Sequence, residues 1–234
     1  MIDIKVLGSG SKGNAYHISD GRTSLLLEAG IKFRDIQRKL NFETSDIEAC
    51  LISHEHGDHR AGLKDVLKAG INTYMSAGTA EAIGMDHHRI KKVEAKKSFK
   101  VGTWTILPFD VEHDVNEPFG FMLQNEQGER LLFVTDSYYV KYKFKDLTHI
   151  MIETNYSMNI LKENIAEGRV PAVLKKRLMQ SHFSLENALD FFRANDLSKV
   201  QEIWLLHLSS NNSDEEHFKR EVQKVTGKIV KIAK

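Results

Sequence analysis

Four potential metal ligands stand within six residues at one place in the chain. The run from His54 to His59 reads His-Glu-His-Gly-Asp-His and directly follows the apolar stretch at residues 50–53. Such a stretch is typical of a buried strand, so the ligands are expected on the loop at its carboxyl end. Imidazole and carboxylate suit zinc, manganese or iron, but one cation cannot use four ligands from so short a loop. The spacing favours two metal ions, with His54 and His56 on one and Asp58 and His59 on the other.

The composition is typical of one globular domain. With 234 residues, of which 41% are hydrophobic, the chain can bury one large core, and we predict a single domain over residues 1–234. Cys50 is the only cysteine, which excludes a disulfide framework and favours a reducing compartment. The net charge is only +1, so the chain has no strong electrostatic footprint for long nucleic acid.

The amino-terminal residues carry no targeting signal. Residues 1–5 lack the charged, apolar and small-residue regions of a signal peptide, and no apolar run approaches the length of a membrane span. We therefore predict a cytoplasmic protein that does not engage a membrane.

Short apolar runs alternate with turn signals through the first half of the chain, and this pattern predicts strands. The predicted strands are residues 2–7, 15–18, 24–28, 49–53, 72–75, 103–109, 119–124 and 130–135, with buried strands at 149–153 and 202–208. A strand-rich half followed by a mixed half favours an α/β protein with two sheets flanked by helices.

Three segments have the pattern of helices. Leu63, Val66 and Leu67 recur at helical spacing, so Asp58 and His59 are expected at a helix amino end. A second helix is indicated by an apolar stripe with a capping serine before it, namely Leu185, Ala188, Leu189 and Phe192 after Ser184. The final helix is indicated by the box Ser213-x-x-Glu216, the stripe Phe218, Val222 and Val225, and Gly227 after its end.

Further metal ligands are expected at strand ends, because each cation usually takes at least three protein groups. His113, Asp136 and His207 each stand at the end of a strand-like run. One such residue alone more often has a structural, hydrogen-bonded role. Together with the histidine loop, the three predict the remaining ligands of a two-metal site.

The order of these motifs resembles the metallo-β-lactamase superfamily. A glycine-rich loop at residues 8–14 comes first, then His-x-His-x-Asp-His, and then the three separate ligands. Within the superfamily the chain resembles the WalJ/YycJ group of phosphodiesterases and, more distantly, the tRNase Z group. The closer resemblance rests on residues 9–14, 153–156, 181–184 and 207–212, and it spans essentially the whole chain.

The resemblance implies an αββα sandwich with two divalent metal ions at one edge of the two sheets. Zinc is the expected metal and manganese the alternative. The implied ligands are His54, His56 and His113 for one metal, and Asp58, His59 and His207 for the other, with Asp136 bridging. A carboxylate has two oxygens to share between cations, which agrees with that division. A water activated by the metals would attack phosphorus, and Asp58 would accept its proton.

Several other residues receive roles from the resemblance. His182 would contact the scissile phosphate and protonate the leaving oxygen, although it could instead be a capping or packing histidine. Asn155 and Ser184 would add donors to the phosphate, and the loop at residues 8–14 offers backbone N–H groups near the same edge. Glu28 stands where the superfamily usually has an aspartate that orients a metal-bound histidine. Glutamate reaches one methylene further, so we expect this contact to survive with altered geometry.

The resemblance implies a DNA exonuclease as the leading function. The segment between His113 and Asp136 is too short for the protruding arm of tRNase Z-like proteins, and the segment from Asp136 to His182 is too short for the inserted domain of the β-CASP branch. The close alternative is hydrolysis of a cyclic mononucleotide, as in phage anti-Pycsar phosphodiesterases, which would place the protein in a host cytoplasm. A lower-ranked alternative is thioester or lactone hydrolysis, and a non-catalytic module of this fold is a further one. The expected partner is a nucleotide or DNA substrate, and a homodimer is left open.

Overall fold

Two units make up the chain in the computed structural model, which describes residues Met1–Lys234. The first unit comprises Met1–Asp110, Val115–Glu129 and Lys234, and the second comprises Val111–Asp114 and Arg130–Ala233. The single domain over residues 1–234 stays a prediction. Every helix falls short of the length and apolar character that a membrane crossing requires.

The first unit is rich in strands. Its strands are β1 (Asp3–Gly8), β2 (Ala15–Ser19), β3 (Ser24–Leu27), β4 (Ile47–Leu51), β5 (Asn72–Met75), β6 (Ile90–Lys92), β7 (Phe99–Val101), β8 (Trp104–Asp110) and β9 (Phe119–Gln124). Its helices are α1 (Phe33–Lys39), α2 (Gly57–Arg60), α3 (Leu63–Lys68) and α4 (Ala77–Ile83). Strands β1 to β6 form a mixed sheet in sequence order, antiparallel from β1 to β3 and parallel from β3 to β6. Strands β7, β8 and β9 are antiparallel neighbours.

Buried apolar side chains from this sheet and from helices α1 and α3 form one hydrophobic cluster, which holds these elements together. Leu26 of β3 and Cys50 of β4 are paired neighbours that are fully buried, and Ile36 of α1 and Val66 of α3 pack into the same cluster. Helix α3 has one apolar face, because its buried side chains are four residues or fewer apart. These are Leu63, Val66 and Leu67. The predicted helix after the histidine loop is therefore confirmed.

The second unit alternates strands and helices. Its strands are β10 (Arg130–Val134), β11 (His149–Glu153), β12 (Glu202–Leu206) and β13 (Ile229–Ile232), and its helices are α5 (Met158–Ala166), α6 (Val173–Ser181), α7 (Leu185–Ala194) and α8 (Glu215–Thr226). The four strands are parallel neighbours in the order β10, β11, β12 and β13. Parallel strands bring their carboxyl ends to one edge of a sheet, which is where ligand sites of α/β proteins are usually found.

The capping signals are confirmed for one helix and corrected for another. Ser184 caps α7, because its side chain accepts a hydrogen bond from the backbone N–H of Asn187. The final helix begins one residue later than predicted: Asp214, not Ser213, is the N-cap and accepts from the N–H of His217. The Ser213 hydroxyl instead donates to the carbonyl of Ser209. Both residue types cap helices well, so sequence alone could not decide between neighbours.

Candidate metal centre

The histidine loop lies at the carboxyl end of a buried parallel strand, as predicted. Strand β4 ends at Leu51, and the first predicted ligand, His54, follows after two residues. His56 is the residue before α2, so Asp58 and His59 lie within the first turn of that short helix. Strand β3 runs parallel to β4 and ends at Leu27, which brings Glu28 to the same edge of the sheet.

The glycine-rich loop at residues 8–14 holds the histidine loop in place. The backbone N–H of Asn14 donates to the carbonyl of Asp58 at 2.7 Å, and the N–H of Gly30 donates to the carbonyl of Asn14 at 2.7 Å. No side chain fits at Gly30, since an added Cβ would overlap the carbonyl oxygen of Asp58. Within the loop, the N–H of Gly10 donates to Asn14 Oδ1 and that of Gly13 to the carbonyl of Gly10. These three N–H groups therefore bond within the protein, and a role of the loop toward a substrate stays a prediction.

The three histidine rings of the loop lie together. The ring centroid of His54 is 4.1 Å from that of His59 and 4.8 Å from that of His56. The side-chain oxygen of Ser53 lies 2.8 Å from Nδ1 of His54. This contact fixes the ring orientation and leaves Nε2 as the nitrogen that would bind a metal, the arrangement usual for metal-ligating histidines.

Glu28 is fully buried and contacts the same loop. Its Oε1 accepts the backbone N–H of Ser53 at 3.0 Å, and its Oε2 lies 3.5 Å from Nδ1 of His59. Burial raises the pKa of Glu28, while the neighbouring His59 and Ser53 act in the opposite direction without cancelling the rise. The backbone of Glu28 has φ 63°, a left-handed value uncommon for a residue other than glycine. The longer side chain thus reaches a histidine of the loop, and its role toward a metal stays a prediction.

The second unit also places its chemistry at the carboxyl ends of parallel strands. Asp136 follows β10, Glu153 ends β11, and His207 follows β12. Asp136 and His207 have φ values of 32° and 52°, so both adopt backbone conformations that cost energy for such residues. Strain of this kind persists where surrounding contacts impose it and is concentrated at functional sites.

One buried carboxylate, that of Glu153, organises this part of the chain. Its Oε1 lies 2.7 Å from Nδ1 of His182 and 3.0 Å from Nδ1 of His207. Its Oε2 accepts the backbone N–H groups of Ser137 and Phe183. Burial would raise the pKa of Glu153, but the charge of His182 and the hydrogen bonds from the two histidines hold it below its ordinary value. Glu153 therefore contacts two imidazole rings at once.

Sequence reasoning gave no role to Glu153. The residue stands in the segment at residues 153–156 that carried part of the family resemblance, and it ends a predicted strand. Its position at a strand end was the same signal that singled out Asp136 and His207. A buried charge at such a position needs a partner, and that requirement could have pointed to it.

The chain contains groups of histidine and acidic side chains that could hold a metal ion. One of them lies wholly in the second unit and consists of Asp136, Glu153, His182 and His207, whose potential ligand atoms lie within 4.8 Å of one another. Nδ1 of His207 also lies 2.9 Å from Oδ1 of Asp136.

His113 belongs to the second unit as well. Its Nδ1 donates to the carbonyl of Ser181 at 2.8 Å, so Nε2 is again the nitrogen that would bind a metal. Burial lowers the pKa of His113, while the carboxylates of Asp136 and Glu153 act in the opposite direction. A neutral imidazole is the form that binds metals, so the buried position suits a ligand.

His182 follows α6 and is partly accessible, with 19% of its side chain exposed. Burial alone would lower the pKa of this residue, but the charge of Glu153, the hydrogen bond to it and the charge of Asp136 raise it above the ordinary value. Nδ1 is engaged by Glu153, so Nε2 is the atom that could exchange a proton with a substrate.

The two residues expected to add donors to the phosphate are engaged with the protein. The side-chain amide of Asn155 donates to the carbonyl of His207 at 2.8 Å, and Asn155 is buried. The side chain of Ser184 serves as the cap of α7. Their roles toward a substrate stay predictions, whereas their structural roles are direct.

Comparisons with known proteins identify the family. A family model described as the beta-lactamase superfamily domain matches residues 23–207. The chain is 27% identical over 228 residues to an exodeoxyribonuclease named WalJ from Streptococcus pneumoniae, covering 90% of this chain and 83% of that protein. It is also 27% identical over 241 residues to an exodeoxyribonuclease named YycJ from Bacillus anthracis, covering 96% and 89%.

Solved structures of low sequence identity share the fold. The metallo-beta-lactamase fold protein YhfI from Bacillus subtilis matches with a TM-score of 0.75 at 17% identity, covering 100% of this chain and 96% of that one. The short form of human tRNase Z matches with a TM-score of 0.68 at 16% identity, covering 100% and 96%. The predicted architecture of two mixed sheets flanked by helices is confirmed, as is the resemblance to the WalJ/YycJ group. The chain belongs to the beta-lactamase superfamily and is a metal-dependent hydrolase.

Proposed function

We propose that the protein is a phosphodiesterase with two metal ions that hydrolyses nucleotide phosphodiester bonds, with DNA as its substrate. The observation that carries the proposal is the pair formed by His182 and the buried Glu153, beside Asp136 and His207. Such a pair holds a proton where a leaving alkoxide would need one. The exodeoxyribonuclease names of the WalJ and YycJ relatives support DNA as the substrate class.

The proposed metal ligands are those that the sequence predicted. His54, His56 and His113 would hold one ion, Asp58, His59 and His207 would hold the other, and Asp136 would contribute to both. The donor set fits divalent ions, because Ser53, Ser181 and Glu153 engage the Nδ1 atoms of His54, His113 and His207 respectively. When bound, two such ions supply positive charge to the phosphoryl oxygens and acidify the attacking water. Imidazole and carboxylate together suit both zinc and manganese. We propose zinc first and manganese second.

Asp58 is proposed to accept the proton of the attacking water. Its carboxylate is partly accessible, with 24% of the side chain exposed, and Oδ2 lies 3.5 Å from Nε2 of His59. The amide of Asn14 donates toward the same oxygen at 3.5 Å. The backbone carbonyl of Asp58 is held by the N–H of Asn14, so the residue is positioned without using its carboxylate.

His182 is proposed to donate the proton that the leaving oxygen takes. Glu153 contacts Nδ1, which orients the ring and raises the pKa of His182, so Nε2 is the atom that would carry the transferable proton. Thioester hydrolysis expels a thiolate, which needs a proton less than an alkoxide does. An ion-paired histidine at this position is therefore an argument for phosphodiester chemistry.

The experiment is a substrate panel with metal-loaded protein. We expect turnover of bis(p-nitrophenyl) phosphate and of linear DNA, and little turnover of cyclic mononucleotides, thioesters or lactones. Asp136→Ala should abolish phosphodiester hydrolysis, because it removes the carboxylate proposed to serve both ions. Circular dichroism of this variant should match the wild type, since Asp136 follows β10 and the apolar residues of that strand are unchanged.

The outcomes separate the alternatives. Rapid turnover of cyclic mononucleotides without cleavage of DNA would replace the leading function by the cyclic-nucleotide alternative. Turnover of thioesters or lactones alone would reject phosphodiester chemistry. Wild-type activity in Asp136→Ala would reject the ligand assignment. Location in the cytoplasm and a homodimer stay predictions.

A further inference from the structure

A cavity of about 300 Å³ in the second unit includes His182 in its wall. Its polar lining residues are Arg169, Arg177, His182, Asn211 and Asn212, and no acidic residue lines it. A concave site with cationic and amide donors and no carboxylate is suited to an anion. The cavity therefore adjoins His182, the residue proposed to protonate the leaving group. Arg169 and Arg177 give the cavity positive charge.

The positive charge of this region is concentrated locally. Residues 167–182 contain four Lys and Arg residues and one acidic residue, Glu167, in a chain whose net charge is +1. Arg169 pairs with Glu167 at 2.7 Å. Arg177 is exposed and forms no ion pair or hydrogen bond with the protein. A guanidinium in that state is available for two parallel hydrogen bonds to a phosphate.

A buried amide in the wall of the cavity has a donor to spare. Asn212 is 6% exposed, and its Oδ1 accepts from the side-chain amide of Asn164 at 2.9 Å. Its backbone N–H donates to the hydroxyl oxygen of Ser209, and its carbonyl accepts from the N–H of Ser157. The bond from Asn164 fixes the orientation of the amide, so Nδ2 is directed away from that contact and makes no hydrogen bond within the protein. Nδ2 is reached by solvent, so it can donate to water or to a ligand that enters the cavity.

We propose that this cavity binds a second phosphate of the substrate, the backbone phosphate next to the one that is cleaved. The proposal rests on the proposed function and names its substrate class as a polynucleotide. A cyclic mononucleotide has a single phosphate, and that phosphate belongs beside His182 and the metal ligands. A substrate with a further phosphate can contact His182 with one phosphate and Arg177 with the next. Arg177 is thus a residue that determines specificity, while His182 acts on the bond that breaks.

The test compares substrates that carry one phosphate or two. Bis(p-nitrophenyl) phosphate and the dinucleoside monophosphate of thymidine have one phosphodiester, and the thymidine trinucleotide has two. We expect Arg177→Gln to raise KM for the trinucleotide about tenfold, because the charge-assisted contact of the guanidinium with the second phosphate is lost. KM and kcat for the two single-phosphate substrates should stay within about twofold of the wild type.

Lys176→Gln is the matched control, because Lys176 is an exposed cation on the same helix that does not line the cavity. It should behave like the wild type on all three substrates. For longer single-stranded DNA, the slope of log KM against log salt should fall by about 0.7 in Arg177→Gln and change little in the control. Both positions are exposed, so the melting temperatures should match that of the wild type.

Three outcomes would overturn the proposal. Equal losses of Arg177→Gln on all substrates would make Arg177 part of the cleavage site. Equal losses in Arg177→Gln and Lys176→Gln would show that any positive charge on this helix has the same effect. A wild-type enzyme with no preference for the trinucleotide over the dinucleoside monophosphate would show that no second phosphate is bound. In each of these three outcomes the wild-type protein still hydrolyses phosphodiesters, so the proposed function stands. Failure to hydrolyse even bis(p-nitrophenyl) phosphate would instead reject the proposed function.

Discussion

At the scale of single residues, the pairing of a histidine with a buried carboxylate decides what the histidine can do. Nδ1 of His182 lies 2.7 Å from Oε1 of Glu153, and the pKa of the imidazole is raised despite the burial that opposes the rise. A histidine held in its charged form can give a proton to a leaving oxygen, whereas a neutral one must first acquire it.

We expect His182→Ala to lower kcat by about 10²–10⁴-fold on DNA, whose leaving group needs a proton. The loss should be much smaller on bis(p-nitrophenyl) phosphate, whose leaving group needs little protonation. The measurement is the ratio of kcat on the two substrates for protein of verified metal content.

His88→Ala serves as the control, because His88 is an exposed histidine that fits no ligand pattern. It should leave both rates unchanged. Equal losses on the two substrates in His182→Ala, with a lower melting temperature, would assign this residue to helix capping or packing and not to catalysis.

Glu153 gives a second prediction at this scale. Glu153→Gln removes the charge that faces His182 and His207 and presents an amide to backbone N–H groups that need an acceptor. Residues that orient metal ligands typically contribute 10–100-fold in metal affinity, so we expect a loss of about that size, measured by competition with a chelating indicator. Glu202→Gln, on the neighbouring strand and paired with Lys231, should bind metal like the wild type. Unchanged affinity in Glu153→Gln would remove Glu153 from the metal site.

At the scale of elements, the start of α7 links helix stability to the position of His182. Ser184 caps the helix two residues after His182, and the intervening Phe183 donates its N–H to Glu153. We expect Ser184→Ala to lower the free energy of unfolding by about 1 kcal/mol, because an unpaired helix N–H remains. Ser184→Asn, which can also cap, should recover most of the loss in denaturant titrations. An unchanged stability with reduced DNA cleavage would favour the substrate role of Ser184 over the cap.

Most elements could be predicted from the spacing of apolar residues and from the turn signals between apolar runs. Strands β5, β9 and β11 have the predicted bounds, and the helix after the histidine loop and α7 lie where their apolar stripes indicated. Strands β6 and β7 were missed because three residues give too little pattern, and β13 was missed although Ile229 and Val230 are typical strand residues. Strand β3 ends before Glu28 because that residue has a left-handed backbone, which no sequence pattern announces.

The candidate site was predictable only in part for a related reason. Candidate ligands that follow apolar runs could be singled out because strand ends are visible in the sequence. Partners such as Glu153 and Asn14 act through contacts between segments distant along the chain, for example the 3.1 Å approach of Asn14 Nδ2 to His59 Nε2. Those contacts depend on the folded backbone, so the sequence indicates at most a position, such as the strand end at Glu153, and not the groups that the residue contacts.

At the scale of the whole molecule, metal content is the property that joins the predicted ligands to function. We expect elemental analysis of protein purified without chelator to find about two transition-metal ions per chain. Removing the ions should abolish phosphodiester hydrolysis and lower the melting temperature, because ligand binding stabilises the folded state. A stoichiometry well below one, with no activity regained on adding zinc or manganese, would contradict the two-metal site.

Gly30 has a consequence for which substitutions the protein tolerates. It provides no ligand and no proton, yet the carbonyl of Asp58 occupies the space that any larger residue would need. Replacing Gly30 by alanine would displace the histidine loop. The effect on activity would be as large as that of removing a ligand. In a survey of all single substitutions scored by activity, Gly30 would therefore be as intolerant as His59, and a search for catalytic residues by loss of activity alone would misassign it.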